Sequence, residues 1–300
     1  TYGYLMVADN TDDPKGCAKK AAETAEKYNS QHFTVVGSKV FLDGVLEAHT
    51  AWLTKEYDDQ PGYTGNQRFN DTKKMTELIA EDAKYGLAVH AHSDGDGATK
   101  FMLDCIEEAQ KQTGNMDQRN ALAHLQFVRP EDIKRMADTN SVAIVPPLWT
   151  PGLPGVYEGE IANVGKERAA SQYPIKSFFD AGADVVFHSD FPISPLINAP
   201  TSVFCAAVRG LPDFAAADGS LVEGSVRGEN ERIDRYKSLL SMTKNVAYMW
   251  HQENNLGSLA AGKIANMTVL DTDLLNDELA KLLTAQVVAT VVDGEVVYKA

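Results

Sequence analysis

Only three cysteines occur in 300 residues, Cys17, Cys105 and Cys205, and no Cys-x-x-Cys pair is among them. That excludes a disulfide framework and a cysteine-based zinc site, and it leans towards a cytoplasmic compartment. Basic residues are scarce too: 28 Lys and Arg face 42 Asp and Glu, a formal charge of −14. Such a balance argues against nucleic acid or an anionic lipid surface as the main partner. No run approaches the about 18 consecutive apolar residues of a membrane span. The chain opens at Thr1, with neither Met nor the charged-then-apolar start of a signal peptide. What is present, 44% hydrophobic and 23% charged residues, suffices for one large α/β domain or two smaller ones with a sizeable core.

Short apolar runs alternate with amphipathic helices. The spacing predicts strands over residues 2–7, 33–42, 87–92, 121–127, 141–147 and 184–189. Between them it predicts helices over 14–28, 71–85 and 130–139, one carrying Phe101, Met102, Cys105, Ile106 and Ala109 as its apolar stripe, and one over 174–181. Asp13 and Asp71 are the expected N-caps, and Pro14 and Pro130 first helical positions. Helices follow over 201–208 and 233–250. This alternation implies right-handed βαβ units and a parallel sheet. The last fifty residues differ: strands at 265–270, 287–292 and 295–298, the last two joined by a type I′ turn at Asp293-Gly294, read as a small β-rich unit.

In a parallel α/β barrel, catalytic groups collect where strands end. Lys39 precedes Asp43-Gly44, His90 and His92 close one strand, His124 lies in the next, and Asp190 directly follows 184–189. Neutral imidazole suits zinc and similar divalent ions, and a carboxylate can both ligate and act as base. Lys39 joins this set if burial lowers its pKa, because the neutral amine then captures carbon dioxide as an anionic, two-oxygen carbamate. Each residue also has a plainer reading: hydrogen-bonded core histidines, an ion-paired lysine, and an aspartate capping a helix before Pro192. Asp94-Gly95-Asp96-Gly97 starts like a calcium loop, but Cys105 stands where the twelfth-position Glu belongs. It reads instead as a flexible turn from which Asp94 reaches substrate. Trp149 either lines a pocket or packs.

The segments KVFLDGVLEAHTAWL, VHAHSDGDGA, AHLQFVRPEDI, FHSDFPISP and AAGKIANMTVLD, in this order, resemble the amidohydrolase superfamily. More narrowly they resemble its branch of N-substituted formamide deformylases and exoenzyme-regulator-like proteins. The resemblance runs from about Val35 to Lys299. It implies an α/β fold: a partial (β/α)8 TIM barrel, about strands three to eight, over residues 1–255, with residues 256–300 as the C-terminal strands of a small β-sandwich made from both chain ends. It implies that Lys39 is the carboxylated strand-four lysine, that His90 and His124 are the strand-five and strand-six ligands, and that Asp190 is the strand-eight ligand and general base. The cofactor implied is a divalent metal, zinc foremost, as one or two ions. The reaction implied is attack of a metal-activated water on an amide or other non-peptide C–N bond of a small molecule.

Two features depart from the family pattern. His188 replaces a usually small residue two before the aspartate, and on a strand it faces the same side as Asp190. The family's first-strand His-x-His is absent, since the sole His-x-His here is His90-Ala91-His92. His92, Asp94, Trp149 and His188 are therefore the expected substrate-binding residues. The chain is expected to be the C-terminal part of a larger amidohydrolase, partnered by a missing N-terminal segment, and by itself to bind metal weakly and catalyse little. A homo-oligomer stays open. Two other readings stand beside this one. A Schiff-base Lys39 in an aldolase-like barrel leaves both histidines without purpose. A non-catalytic regulatory or degenerate homologue needs no first-strand ligands.

Overall fold

Asp13 and Asp71 do what their positions require. Asp13 accepts from the Gly16 amide, and Asp71 from the amides of Lys73 and Lys74, satisfying donors that a helix start leaves open at a value of about 1 kcal/mol each. The helices they open are α1 (Pro14–Tyr28) and α2 (Thr72–Lys84). These alternate with β1 (Tyr2–Met6), β2 (Thr34–Phe41) and β3 (Ala88–Ser93), and α3 (Asp96–Thr113), β4 (Ala121–His124), α4 (Pro130–Asp138) and β5 (Val142–Val145) follow. The computed structural model describes residues 1–194, 198–216 and 218–300. They form two units, one of residues 1–145 with 158–184, the other of residues 146–157 with 185–300.

In the first unit β1 to β5 lie in chain order and every pair is parallel, as βαβ connections dictate. Among the described residues of this unit β1 pairs with β2 alone, so these strands form an open sheet. Met75, Leu78 and Ile79 of α2, together with Met102, Leu103, Cys105 and Ile106 of α3, are fully buried, each large side chain contributing about 1.5–3 kcal/mol. Arg135 of α4 ties that helix to α3, pairing with Asp104 and Glu107 at 2.7 Å each and with the buried Asp132 of its own helix.

Two expectations change here. β4 stops at His124 rather than 127, because His124 and Leu125 take φ of +81° and +53° and leave the extended region. Helix α5 (Val156–Ala170) stands in a stretch where no helix is predicted. Its apolar residues trace no single face, and Gly165 at φ 79°, ψ 157° interrupts its path, so the 3.6-residue signal is missing. Helix α6 (Ile175–Ala181) ends at Gly182 as expected.

The second unit holds β6 (Val185–Phe187), α7 (Ala199–Val208), α8 (Arg235–Met242), α9 (Lys244–Met249), β7 (Met267–Leu270), α10 (Leu279–Leu282), β8 (Val287–Val292) and β9 (Glu295–Lys299). The single helix expected over 233–250 is two, broken at Thr243 (φ −131°, ψ −86°). Val203, Phe204 and Cys205 of α7 pack with Leu282 of α10. β7, β8 and β9 form an antiparallel sheet whose last turn has Asp293 at φ 52° and Gly294 at φ 84°, the two positive values a type I′ turn needs. Among the described residues no helix is long and apolar enough to cross a membrane.

Candidate metal centre

Parallel register places Lys39 of β2 directly beside His90 of β3, and Phe41 beside His92. Residues 39, 41, 90 and 92 thus share one face, while Val40 and Ala91, on the other, are fully buried. On the shared face Lys39 Nζ lies 5.1 Å from the Phe41 ring centre, and His90 meets the edge of Tyr4 at 4.9 Å. Ala121 and Ala123 of β4 pair with His90 and His92, and these small side chains leave the face open.

Strict alternation would send His124, the register partner of Ser93, to the opposite side. It does not go there. Its φ of +81° turns Cβ by about half a revolution from a strand value, and its ring lies 4.4 Å from that of His92. The backbone irregularity at the end of β4 brings the third histidine to the face of the other two.

His92 is itself held. Its Nδ1 lies 2.9 Å from Asp43 Oδ1. Asp43 is fully buried and also accepts from the amides of Trp52, Asp94 and Gly95. Four nitrogens thus converge on this one carboxylate. Asp94 is 3% exposed and accepts from the Leu46 amide. Burial first, and then the charge of Asp43, push its carboxyl well above the ordinary range. Behind this pair, three buried side chains form a relay: Gln126 Nε2 donates to Gln172 Oε1 at 2.8 Å, and Gln172 Nε2 to Glu160 Oε2 at 2.9 Å.

The reading of residues 94–97 as a flexible turn is corrected. Gly95 is the N-cap of α3, the Gly97 amide donates to Trp52 O at 2.9 Å, and Asp96 binds both the amide and the hydroxyl of Thr54. A Cβ on Gly95 would stand 2.0 Å from Trp52 O, so only glycine lets the two segments meet. Sequence reasoning passed over Asp43, because Asp-Gly reads first as a turn. The usable signal was its place at the end of a strand, where Lys39 and the histidines were sought.

In the second unit Asp190 follows β6 by three residues, is half-buried and has φ 53°. Among the described residues it caps no helix, and the N-cap of α7 is Asn198, which accepts from the Thr201 amide. His188 meets the edge of Trp149 at 6.3 Å, and Trp149 Nε1 donates to Ser194 Oγ at 2.7 Å. Pro195, the last residue of the FHSDFPISP segment, lies outside the described residues.

The donor chemistry suits a borderline divalent ion, since neutral imidazoles on one sheet face are what such an ion takes. Among the described residues no three His, Cys, Asp or Glu side chains gather closely enough to hold an ion by themselves.

Comparison with known proteins agrees with this chemistry. The sequence profile described as Amidohydrolase family (Amidohydro_3) matches residues 4–298. The chain is 30% identical over 263 residues to the protein LONG AFTER FAR-RED 3 of Arabidopsis thaliana, covering 87% of this chain and 42% of that protein. It is 26% identical over 264 residues to the N-substituted formamide deformylase of Arthrobacter pascens, covering 87% of this chain and 45% of that enzyme. In fold it resembles a metal-dependent hydrolase from Pyrococcus horikoshii OT3, with a TM-score of 0.72, 23% identity, 93% of this chain and 51% of that one covered. The chain spans about half the length of the curated relatives it matches. With a family match across nearly its whole length, on top of the ordered motifs and the histidine-bearing sheet face, this chain belongs to the amidohydrolase family.

Proposed function

We propose that this chain is part of a metal-dependent hydrolase acting on amide or other non-peptide C–N bonds of small molecules. The observation that carries the proposal is the assembly of Lys39, His90 and His124 on one sheet face, the last of them by a positive φ. In this reading the sheet belongs to a (β/α)8 barrel, and residues 256–300 are the C-terminal share of a composite β-sandwich.

His90 and His124 would hold the metal, and a carbamate on Lys39 would supply two oxygen donors to it. The family resemblance implies Asp190 as the remaining ligand. When bound, the metal, zinc foremost, lends Lewis acidity to a water and to the substrate carbonyl. Asp190 would take the proton of the attacking water as its oxygen bonds to the carbonyl carbon, and would return it to the nitrogen as the C–N bond breaks. His92, Asp94, Trp149 and His188 contact the substrate. The family's first-strand His-x-His has no counterpart here, where the sole His-x-His lies on β3. Nucleic acid and membrane have no part in this reading.

Turnover of an N-monosubstituted formamide by the intact, zinc-loaded protein tests the proposal. Lys39→Ala is expected to lower turnover at least 100-fold, with partial recovery in added acetate, whose carboxylate stands in for the carbamate. Undiminished turnover in Lys39→Ala would remove the carbamate from the account.

A further inference from the structure

Arg68 stands at the rim of the sheet face that bears Lys39, His90 and His92. Its guanidinium carbon lies 5.0 Å from the centre of the Phe41 ring, which Lys39 Nζ approaches at 5.1 Å and the His92 ring at 5.2 Å. One aromatic ring thus separates this cation from the candidate metal centre. Backbone and side chain of Arg68 are both held. Its amide donates to Leu42 O at 2.8 Å, its carbonyl accepts from Asn10 Nδ2 at 3.1 Å, and the next residue, Phe69, is fully buried. Asp9 takes one edge of the guanidinium, 3.0 Å from Nε and 3.4 Å from Nη2. The other edge, formed by Nη1 and the second Nη2 proton, makes no hydrogen bond among the described residues, and the side chain is 39% exposed. A guanidinium already paired can take a further carboxylate, as Arg135 does with Asp104, Glu107 and Asp132 together.

We propose that Arg68 determines specificity: its open edge binds a carboxylate on the small molecule whose C–N bond is cleaved, so that the site selects anionic amides over neutral amides of the same size. This rests on the hydrolase reading and deepens it by adding charge to the substrate class. A planar carboxylate meets the two remaining N–H groups in parallel, the geometry that makes such pairs strong and directional. The Phe41 ring keeps water from one side of the guanidinium, which strengthens the pair. Asp9 orients the fork beforehand, so less side-chain freedom is lost on binding. The plainer role, a tie between the loop after β1 and the loop before α2, uses the Asp9 edge alone and gives no selection by charge.

The test compares N-formylalanine, an anion at neutral pH, with N-formylalaninamide, its neutral analogue of the same size, in the intact, zinc-loaded protein and in Arg68→Met. The ratio of kcat/KM values, anionic over neutral, is expected to fall about tenfold or more in Arg68→Met, with the change carried by KM. A side chain that merely ties two loops would lower both values alike. A ratio unchanged within about threefold therefore overturns the proposal while leaving the hydrolase reading intact. Independently of any variant, 15N spectra of the wild-type protein follow the Arg68 Nε–H resonance. It is expected to shift with N-formylalanine and not with the amide, and equal shifts, or none with either, overturn the proposal. Should the wild-type protein hydrolyse neither compound, the hydrolase reading falls, and the same resonance decides this one by binding.

Discussion

The ring of His124 lies 4.4 Å from that of His92 although its Cα is paired with Ser93, whose side chain belongs to the opposite face of the sheet. A φ of +81° reconciles the two facts. Backbone strain of this kind costs about 1–3 kcal/mol and persists where surrounding structure demands it. At His124 the demand is for an imidazole among imidazoles.

Truncating either proposed ligand of this unit should remove metal without unfolding the chain. His90→Ala and His124→Ala are each expected to weaken zinc binding at least tenfold. The double variant should lose little more than the worse single one, because the two act as a unit. Equilibrium dialysis against a competing chelator measures this, with far-UV dichroism confirming the fold. Unchanged affinity in both variants would contradict the assignment.

Asp82, fully buried on α2, provides a pH test away from the site. Burial pushes its carboxyl up to about 7, and the neighbouring Ser38 hydroxyl opposes this by less. The unfolded chain gives up that proton near pH 4, whereas the folded chain keeps it to about 7. Between these values the folded state binds more protons, so stability is fully present below pH 4 and falls as pH rises, by up to about 4 kcal/mol. Asp82→Asn should abolish this loss and unfold at higher urea than wild type at pH 7.5. A wild-type-minus-variant difference that does not vary with pH would contradict it.

Arg135 and Arg129 share the fully buried Asp132. Arg135→Met leaves Asp132 its two bonds to Arg129, of 2.6 and 2.8 Å, and should cost about 1–2 kcal/mol in urea unfolding. The pair Arg129→Met with Arg135→Met should cost more than the sum of the singles, since a buried carboxylate is then left alone. Simple additivity would show that Asp132 is solvated in the double variant.

Gly95 and Gly86 make a contrasting pair. At Gly95 φ is an ordinary −86°, but a Cβ would meet Trp52 O at 2.0 Å. At Gly86 φ is +68°, and nothing lies within 4 Å. Gly95→Ala is expected to cost about 3 kcal/mol through overpacking, and Gly86→Ala about 1 kcal/mol through backbone strain alone. Calorimetry should place the Gly95→Ala melting temperature the lower of the two; the opposite order would mean that the Trp52 segment yields.

Much of this was legible in the residues. Caps at Asp13 and Asp71, prolines at helix starts and β-branched runs placed β1 to β5 and the helices between them, because each of those signals is local. That Lys39, His90 and His124 lie near the ends of neighbouring strands was legible from the order of the apolar runs. The rest depended on contacts distant in sequence. Asp43 looks like a turn residue until Trp52, His92 and Gly95 converge on it, and Glu160 sits on a helix without an apolar face to announce it. The flip of His124 could not be read from alternation, which it violates.

The most direct measurement is metal content. The intact protein, prepared without chelator and analysed for transition metals, should contain at least one equivalent of a divalent ion, zinc foremost. That equivalent should be lost from the variant lacking His90 and His124 together. Less than about half an equivalent in the wild-type protein, or an equal content in the double variant, would contradict the metal centre and the hydrolytic function built on it.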